Sequence, residues 1–146
     1  MPTVNDLLKG KGYDIWYAAP NTSLHDALVL LSDKHIGAVP VLEDGKLVGM
    51  FSERDFARHA VDFNGCLDFS IPISELMTHP VYYVDPDQTV DDCMAVITAK
   101  NLRHLPVLKD GALIGIISIR DVLKQVLADK QNTIDVLEHF LWVNLV

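Results

Sequence analysis

An ungapped internal repeat is the feature that most constrains how this chain can fold. Residues 20–55 align with residues 86–121 at a constant offset of 66 positions, and 13 of the 36 aligned pairs are identical. Self-similarity at a fixed period is typical of one supersecondary unit that is used twice. One copy of this size cannot bury both its sheet face and its helices, so we expect the two copies to pack together.

Each copy has the pattern strand, helix, strand, strand, helix. Apolar residues recur at helical spacing after Ser23 and Thr89, and an acidic residue three positions after each hydroxyl completes a capping-box pattern. Apolar runs flank Asp44-Gly45 and Asp110-Gly111, which predicts two β-hairpins. The predicted strands are residues 15–18, 38–42 and 46–51 in the first copy and 81–84, 104–108 and 112–117 in the second. The second helices are predicted over residues 53–63 and 119–128.

Several segments lie outside the repeat. Residues 4–9 are predicted as a short helix stopped by the glycines that follow, residues 64–71 as a loop and residues 72–77 as another short helix. Residues 133–141 are a helix candidate before an apolar chain end that needs a surface to cover it. We therefore expect one module over residues 1–146, with repeat one at about 13–63, a linker at 64–78, repeat two at about 79–129 and a C-terminal helix at 130–146.

Charge and composition argue against several classes of protein. Twelve Lys and Arg against twenty Asp and Glu leave a net charge of −8, which repels nucleic acid and anionic lipid. No apolar run approaches the roughly 20 residues of a membrane span, so we expect a cytoplasmic protein. Cys66 and Cys93 are too few for a disulfide framework or a zinc site, and the six histidines lack metal-ligand spacing. We predict neither a metal site nor catalysis.

The most distinctive shared motif is Gly-x-x-Ser-x-Arg-Asp, at residues 49–55 and 115–121. Glycine lets a ligand approach the strand backbone, and the start of the following helix offers N–H groups and a positive dipole to an anion. The arginine suits a phosphate, and the carboxylate suits the two hydroxyls of a ribose. Ser-x-x-Asp is also an ordinary capping box. Its recurrence with the arginine in both copies favours a ligand site.

These residues resemble the CBS domain, which is named after cystathionine β-synthase. The resemblance covers about residues 13–129 and also rests on Val-Pro-Val at 39–41, Leu-Pro-Val at 105–107 and the Asp-Gly hairpins. It implies an α/β (α+β) fold in which two β-α-β-β-α repeats pack as a pseudo-twofold pair, as in stand-alone bacterial CBS-pair proteins. It also implies two clefts between the repeats that bind AMP, ADP, ATP, S-adenosylmethionine or NAD(H).

The resemblance further implies roles for individual residues. Asp55 and Asp121 would hold ribose hydroxyls, and the Ser and Arg of each motif would lie near phosphate. The first-strand tyrosines would line the adenine pockets, although packing within a strand explains them equally well. Arg103 and His104 match basic phosphate-binding positions, where the first copy has Gly37-Ala38, so we expect unequal sites. The predicted ligand-binding residues are Tyr17, Ala18, Val39, Ser52, Arg54, Asp55, Tyr83, Val84, Arg103, His104, Leu105, Ser118, Arg120 and Asp121.

Three functions are compatible with these features. The leading hypothesis is a regulatory module in which nucleotide occupancy changes the placement of repeats or subunits, and a partner protein responds. The second is a purely structural dimerisation module with non-functional clefts, which the retained Arg-Asp pairs disfavour. The third is an enzyme fragment related to IMP dehydrogenase, which is disfavoured because a TIM barrel needs about 250 residues. The resemblance also implies a homodimer, a flat disc of four repeats.

Overall fold

The computed structural model describes residues 2–62, 64 and 66–128. The helices and strands in this part of the chain are α1 (Val4–Lys11), α2 (Leu24–Lys34), β1 (Ala38–Glu43), β2 (Lys46–Ser52), α3 (Glu53–Asp62), a 3-10 helix (Ile73–Glu75), α4 (Val90–Lys100), β3 (His104–Lys109), β4 (Ala112–Ser118) and α5 (Ile119–Ala128). The sheets β1-β2 and β3-β4 have two strands each. This combination of helices with small hairpin sheets confirms the predicted α+β class.

The described residues divide into two compact units. The first-repeat unit comprises residues 14–83 with 108–114, and the second-repeat unit comprises residues 2–13, 84–107 and 115–128. Helix α1 therefore belongs with the second repeat, although it lies at the start of the chain.

Both predicted hairpins are present, and each turns on its Asp-Gly pair. The φ angles are 51° and 79° in Asp44-Gly45 and 52° and 80° in Asp110-Gly111. Positive φ at both central residues is characteristic of a type I′ turn, whose twist matches that of the flanking strands. In the first hairpin β1 and β2 are antiparallel, and Ala38 lies opposite Ser52. The start of β1 is thereby placed beside the serine of the first motif.

The predicted apolar helix stripes form the core of each unit. In the second-repeat unit, α4 buries Val90, Cys93 and Ile97 at the positions that match those of α2. In the first-repeat unit, α2, the hairpin and the 3-10 helix contribute to one buried cluster. This cluster contains Ala18, Leu24, Ala27, Leu31, Val39, Val41, Phe51 and Ile73.

The first strands predicted in each copy, residues 15–18 and 81–84, are reduced to single β-bridges. Ala18 bridges to β1 and Val84 bridges to β3, both in parallel. A proline follows two residues later in each copy. Because proline has no N–H and fixes φ, it stops each bridge from extending further toward the C-terminus.

The short helices also differ in length from the prediction. Helix α1 continues through Gly10 to Lys11 and is capped by Gly12, which has a φ of 104°. The N–H of Gly12 donates to the carbonyl of Leu8 at 2.7 Å, which closes the last turn. The helix predicted over residues 72–77 is a single 3-10 turn. The helix candidate at residues 133–141 and the apolar chain end lie outside the described residues.

Short helical segments dock at equivalent places in the two units. The N–H of Val4, at the start of α1, donates to the carbonyl of Gln88 at 2.8 Å. The N–H of Ile73, at the start of the 3-10 helix, donates to the carbonyl of Thr22 at 2.9 Å. Gln88 and Thr22 occupy the same position of the two repeats, so each unit carries its own segment docked just before its first long helix.

The two cysteines should differ in reactivity. Cys93 is buried on α4, whereas Cys66 is exposed. Burial and the nearby carboxylate of Asp92 raise the pKa of the Cys93 thiol to about 11, and the thiolate is the reactive form. We expect dithionitrobenzoate to modify one thiol per chain in native buffer and two in denaturant. Rapid modification of both thiols in the native protein would contradict the burial of Cys93.

Candidate functional site

The Ser-x-x-Asp motif of the first repeat joins β2 to α3. The N–H and the hydroxyl of Ser52 donate to Oδ2 of Asp55 at 2.9 and 3.0 Å, and the N–H of Asp55 donates back to Ser52 Oγ at 3.2 Å. These reciprocal bonds are those of a capping box. The hydroxyl of Thr78 donates to the other oxygen of Asp55, Oδ1, at 2.9 Å. The carboxylate is therefore held in one orientation at the start of α3.

The motif of the second repeat has the same geometry with one charged addition. Asp121 Oδ2 accepts from the N–H and hydroxyl of Ser118 at 2.8 and 3.0 Å, and Ser118 Oγ accepts from the N–H of Asp121 at 3.2 Å. Lys11 Nζ lies 2.7 Å from Asp121 Oδ2 and 2.8 Å from the carbonyl oxygen of Ile116. The last residue of α1 therefore reaches the motif carboxylate of the second repeat.

Lys11 changes the electrostatics of Asp121. Partial burial alone would raise the pKa of this carboxyl group, but the hydrogen bonds from Lys11 and Ser118 and the charge of Lys11 outweigh it and lower the pKa. The side chains of Lys11 and Asp121 are 40% and 21% exposed, so water screens the pair and its contribution to stability is small. The main effect of the pair is electrostatic. Asp121 is ionised at neutral pH, and the ammonium group of Lys11 is in direct contact with its carboxylate.

The glycines of the two motifs make room for protein side chains. A Cβ added at Gly115 on β4 would lie 2.6 Å from Leu8 Cδ2, and a Cβ added at Gly49 on β2 would overlap the side chain of Met77. We expected these glycines to admit a ligand to the strand backbone. The structure corrects this interpretation, because the space above each glycine is filled by a side chain of the same unit, Leu8 of α1 at Gly115 and Met77, just after the 3-10 helix, at Gly49.

Lys11 and Thr78 are not among the site residues that the sequence predicts. A signal for them exists: residues 4–8, Val-Asn-Asp-Leu-Leu, are similar to residues 73–77, Ile-Ser-Glu-Leu-Met. This similarity has an offset of 69 positions rather than 66, so an ungapped alignment does not find it. Each segment packs on the motif glycine of its unit and leads to a side chain that contacts the motif carboxylate.

The basic residues of the second repeat lie beside the start of α5. The carbonyl of Arg103 accepts a hydrogen bond from the N–H of Ile119, the first residue of α5, at 2.8 Å. In the first repeat the carbonyl of Gly37 accepts the equivalent bond from the N–H of Glu53 at 3.0 Å. Arg103 is exposed and His104 is half-buried. The residues on which the predicted asymmetry rests therefore lie beside the two helix starts that carry the motifs.

The remaining predicted site residues differ in exposure. Tyr17 and Tyr83 are 60% and 53% exposed, which does not fit the interpretation that they pack within a strand. Arg54 is half-buried and Arg120 is exposed. Four residues are buried and can offer a ligand little beyond backbone atoms. These are Ala18, Val39, Val84 and Leu105.

The chemistry of the two motifs is that of carboxylate, hydroxyl and guanidinium groups, which bind through charge and hydrogen bonds. In residues 2–62, 64 and 66–128, no group of three or more His, Cys, Asp or Glu side chains is arranged to hold a metal ion. Across the same residues, none of the helices combines the length and the apolar composition needed to span a bilayer.

Comparison with known proteins identifies relatives of the whole repeat pair. The CBS domain profile matches residues 11–62 and 73–128. The crystal structure of the CBS domain NE2398 is 40% identical in sequence, with a TM-score of 0.80 over 86% of this chain and 97% of that one. Inosine-5′-monophosphate dehydrogenase of Staphylococcus epidermidis is 31% identical over 113 residues, which are 75% of this chain but only 22% of that enzyme.

Two similar structures contain adenosine derivatives. CBSX2 in complex with AMP is 28% identical, with a TM-score of 0.74 over 89% of this chain and 99% of that one. The CBS domain pair of protein MJ0100, in complex with 5′-methylthioadenosine and S-adenosyl-L-methionine, is 26% identical, with a TM-score of 0.76 over 89% of this chain and 98% of that one. The profile matches both repeats, and the similarity covers 97–99% of the three structures named above. The chain belongs to the CBS domain family, of which it contains a pair of repeats.

Proposed function

We propose that this chain is a regulatory module that binds adenosine-containing ligands at its CBS repeats and signals their presence to a partner protein. The observation that carries the proposal is the pair of equivalent carboxylates, Asp55 at the start of α3 and Asp121 at the start of α5. Each carboxylate is oriented by the serine three positions before it. An acidic side chain at such a strand-to-helix joint suits the two hydroxyls of a ribose.

The second-repeat carboxylate retains an oxygen for this role. Within the described residues, the hydrogen bonds to Asp121 reach Oδ2, which leaves Oδ1 as the acceptor for a ribose hydroxyl. At Asp55, Thr78 occupies Oδ1, but each carboxylate oxygen accepts more than one hydrogen bond. We therefore propose that both carboxylates bind ribose.

The surrounding residues supply the other contacts of a nucleotide. Ser52, Arg54, Ser118 and Arg120 stand beside the carboxylates at the helix starts, and the guanidinium groups of the two arginines favour phosphate. The exposed rings of Tyr17 and Tyr83 offer faces for adenine. The buried residues Ala18, Val39, Val84 and Leu105 would line the base with backbone atoms.

The relatives support adenosine as the shared part of the ligand. AMP, 5′-methylthioadenosine and S-adenosylmethionine, which CBSX2 and MJ0100 hold, have an adenine and a ribose in common and differ at the 5′ position. We propose AMP, ADP, ATP or NAD(H) for this chain, because Arg103 and His104 give the second repeat basic groups that favour phosphate.

We propose no catalytic reaction for this chain. The match to inosine-5′-monophosphate dehydrogenase covers 22% of that enzyme and lies in its CBS region. A purely structural dimerisation module is the alternative, and the observation that favours it is that both motifs form capping boxes that any helix can use. Ligand binding distinguishes these two functions directly.

We also propose that the protein is a homodimer. Helix α5 exposes Leu123 and Val126, each 42% accessible, and α3 exposes Val61, which is 75% accessible. Leu123 and Val126 are three positions apart and therefore neighbours on α5, and a contiguous exposed apolar patch marks an interaction surface. We place the protein in the cytoplasm as part of this proposal, because the proposed ligands are intracellular metabolites.

Titration calorimetry with AMP tests the proposed function. We expect saturable binding of up to two AMP per chain, one at each motif carboxylate, and no turnover of AMP, ATP or NADH by the same sample. Mass spectrometry of small molecules released on denaturation would identify a ligand that co-purifies, and light scattering would report the dimer. A protein that binds none of AMP, ADP, ATP, NADH and S-adenosylmethionine would overturn the proposal and favour the structural module.

A further inference from the structure

The two repeats hold equivalent carboxylates against chemically different partners. Asp55 Oδ1 accepts a hydrogen bond from the neutral hydroxyl of Thr78 at 2.9 Å. Asp121 Oδ2 accepts one from the charged ammonium of Lys11 at 2.7 Å. Both partners follow the segment that packs on the motif glycine, Thr78 directly after residue 77 and Lys11 three positions after residue 8. The motif carboxylate of the first repeat therefore has a neutral partner, and that of the second repeat has a cationic one.

The helix starts carry the same asymmetry. Glu53 is the first residue of α3, whereas Ile119 is the first residue of α5. The N–H groups of these residues donate to the carbonyl of Gly37 in the first repeat and to that of Arg103 in the second. Each helix start has the arginine of its motif, Arg54 or Arg120, but the first also has the acidic Glu53, whereas the second has the neutral Ile119 and lies beside Arg103.

Lys11 is positioned to act on a ligand held by Asp121. Its ammonium is fixed by two contacts within the second-repeat unit, to Asp121 and to the carbonyl of Ile116. The 5′ phosphate of a nucleotide is attached to the same five-membered ring as the hydroxyls that Asp121 would bind. Because Lys11 contacts the carboxylate proposed to hold that ring, the phosphate and the ammonium would be separated by a distance on the order of one Debye length, roughly 8 Å at physiological ionic strength, at which their attraction is only partly screened.

We infer that Lys11 is a specificity-determining residue of the second-repeat site and makes this site favour anionic adenosine ligands over neutral ones. The inference rests on the proposed function and deepens it, since it names the chemical class of ligand for one repeat. Lys11 acts through its charge next to Asp121, while the first repeat, with Thr78 and Glu53, lacks this preference.

The test compares AMP with adenosine in a chain whose first site is disabled by Asp55→Ala. In this background, Lys11→Met removes the charge and keeps an unbranched side chain of similar length. We expect the affinity for AMP to fall about fivefold to tenfold, and that for adenosine to change less than about twofold. Lys11→Arg keeps the charge and should retain most of the preference for AMP. Titration calorimetry gives both affinities, and circular dichroism verifies that each variant is folded.

Lys9→Met is the matched control. It makes the same charge change in the last turn of α1, but the ion pair with Asp121 is made by Lys11, so the ratio of AMP to adenosine affinity should stay unchanged. An unaltered ratio in Lys11→Met would overturn the inference. An equal rise in the affinities of Lys11→Met for AMP and adenosine would also overturn the inference, because it would show that Lys11 competes with ribose for Asp121. Failure of the unsubstituted protein to bind either ligand would instead overturn the proposed function itself, and this inference with it.

Discussion

The double variant Asp55→Ala/Asp121→Ala is expected to lose detectable AMP binding while the protein remains folded. Each alanine removes the carboxylate proposed to hold the ribose hydroxyls. Loss of a hydrogen bond to a charged group costs about 1.5–3 kcal/mol, which is roughly tenfold or more in the dissociation constant at each site. Titration calorimetry with AMP measures the change. The single variants should each remove one binding event.

The control for this experiment separates helix capping from ligand binding. Asp92 accepts a hydrogen bond from the N–H of Thr89 at 3.0 Å at the start of α4, in the same kind of capping box, but lies outside the proposed sites. Asp92→Ala should therefore lower stability by about 0.5–2 kcal/mol, as loss of a cap does, with AMP affinity unchanged. If the double variant binds AMP as tightly as the unsubstituted chain, the two aspartates serve as caps and the ribose assignment is wrong.

Leu8→Ala is expected to lower the free energy of unfolding by about 2–5 kcal/mol, the range for a buried leucine that leaves a cavity. Leu8 is fully buried and packs above Gly115. Loss of this contact would weaken the attachment of α1 to the second-repeat unit and with it the position of Lys11. Urea denaturation followed by circular dichroism measures the loss.

Gly115→Ala tests the same contact from the other side. The added methyl group would crowd Leu8, which costs about 1–3 kcal/mol when a packed core is overfilled. In Leu8→Ala/Gly115→Ala the smaller side chain at position 8 makes room for the methyl group. The loss of unfolding free energy in this variant should therefore be less than the sum of the losses in the two single variants. Gly10→Ala is the control, since no atom lies within 4 Å of its added Cβ, and alanine should leave helix α1 unchanged or more stable. Strict additivity of Leu8→Ala and Gly115→Ala would show that these residues do not share one space.

If these experiments succeed, the two repeats of one chain would act as different sensors. The first repeat has a neutral partner at its carboxylate and Glu53 at its helix start. The second has Lys11 at its carboxylate and Arg103 beside its helix start. Such a module would distinguish the phosphorylated form of a nucleoside from the unphosphorylated form at its second repeat and not at its first.

Much of the fold could be predicted from the sequence because its causes are local. The hairpins form where Asp-Gly pairs adopt positive φ, and α5 begins and ends where its pattern predicts. The motif pairs Ser52 with Asp55 and Ser118 with Asp121 lie three residues apart, so their contact needs only one turn of helix. The first strands were overpredicted because apolar residues suggest a strand, whereas the extent of pairing depends on the neighbouring chain.

The sequence by itself determined the repeat, the hairpins, the helix caps and the residues of the two motifs, since each depends on interactions within a few positions. Only the tertiary structure decided that the motif glycines accommodate Leu8 and Met77, and that Lys11 pairs with Asp121 across 110 positions of the chain. The similarity between residues 4–8 and 73–77 is visible in the sequence, but it does not show what these segments contact. The physical reason is that packing and charge pairing between distant segments depend on where the whole fold places these segments. Local sequence periodicity does not determine those positions.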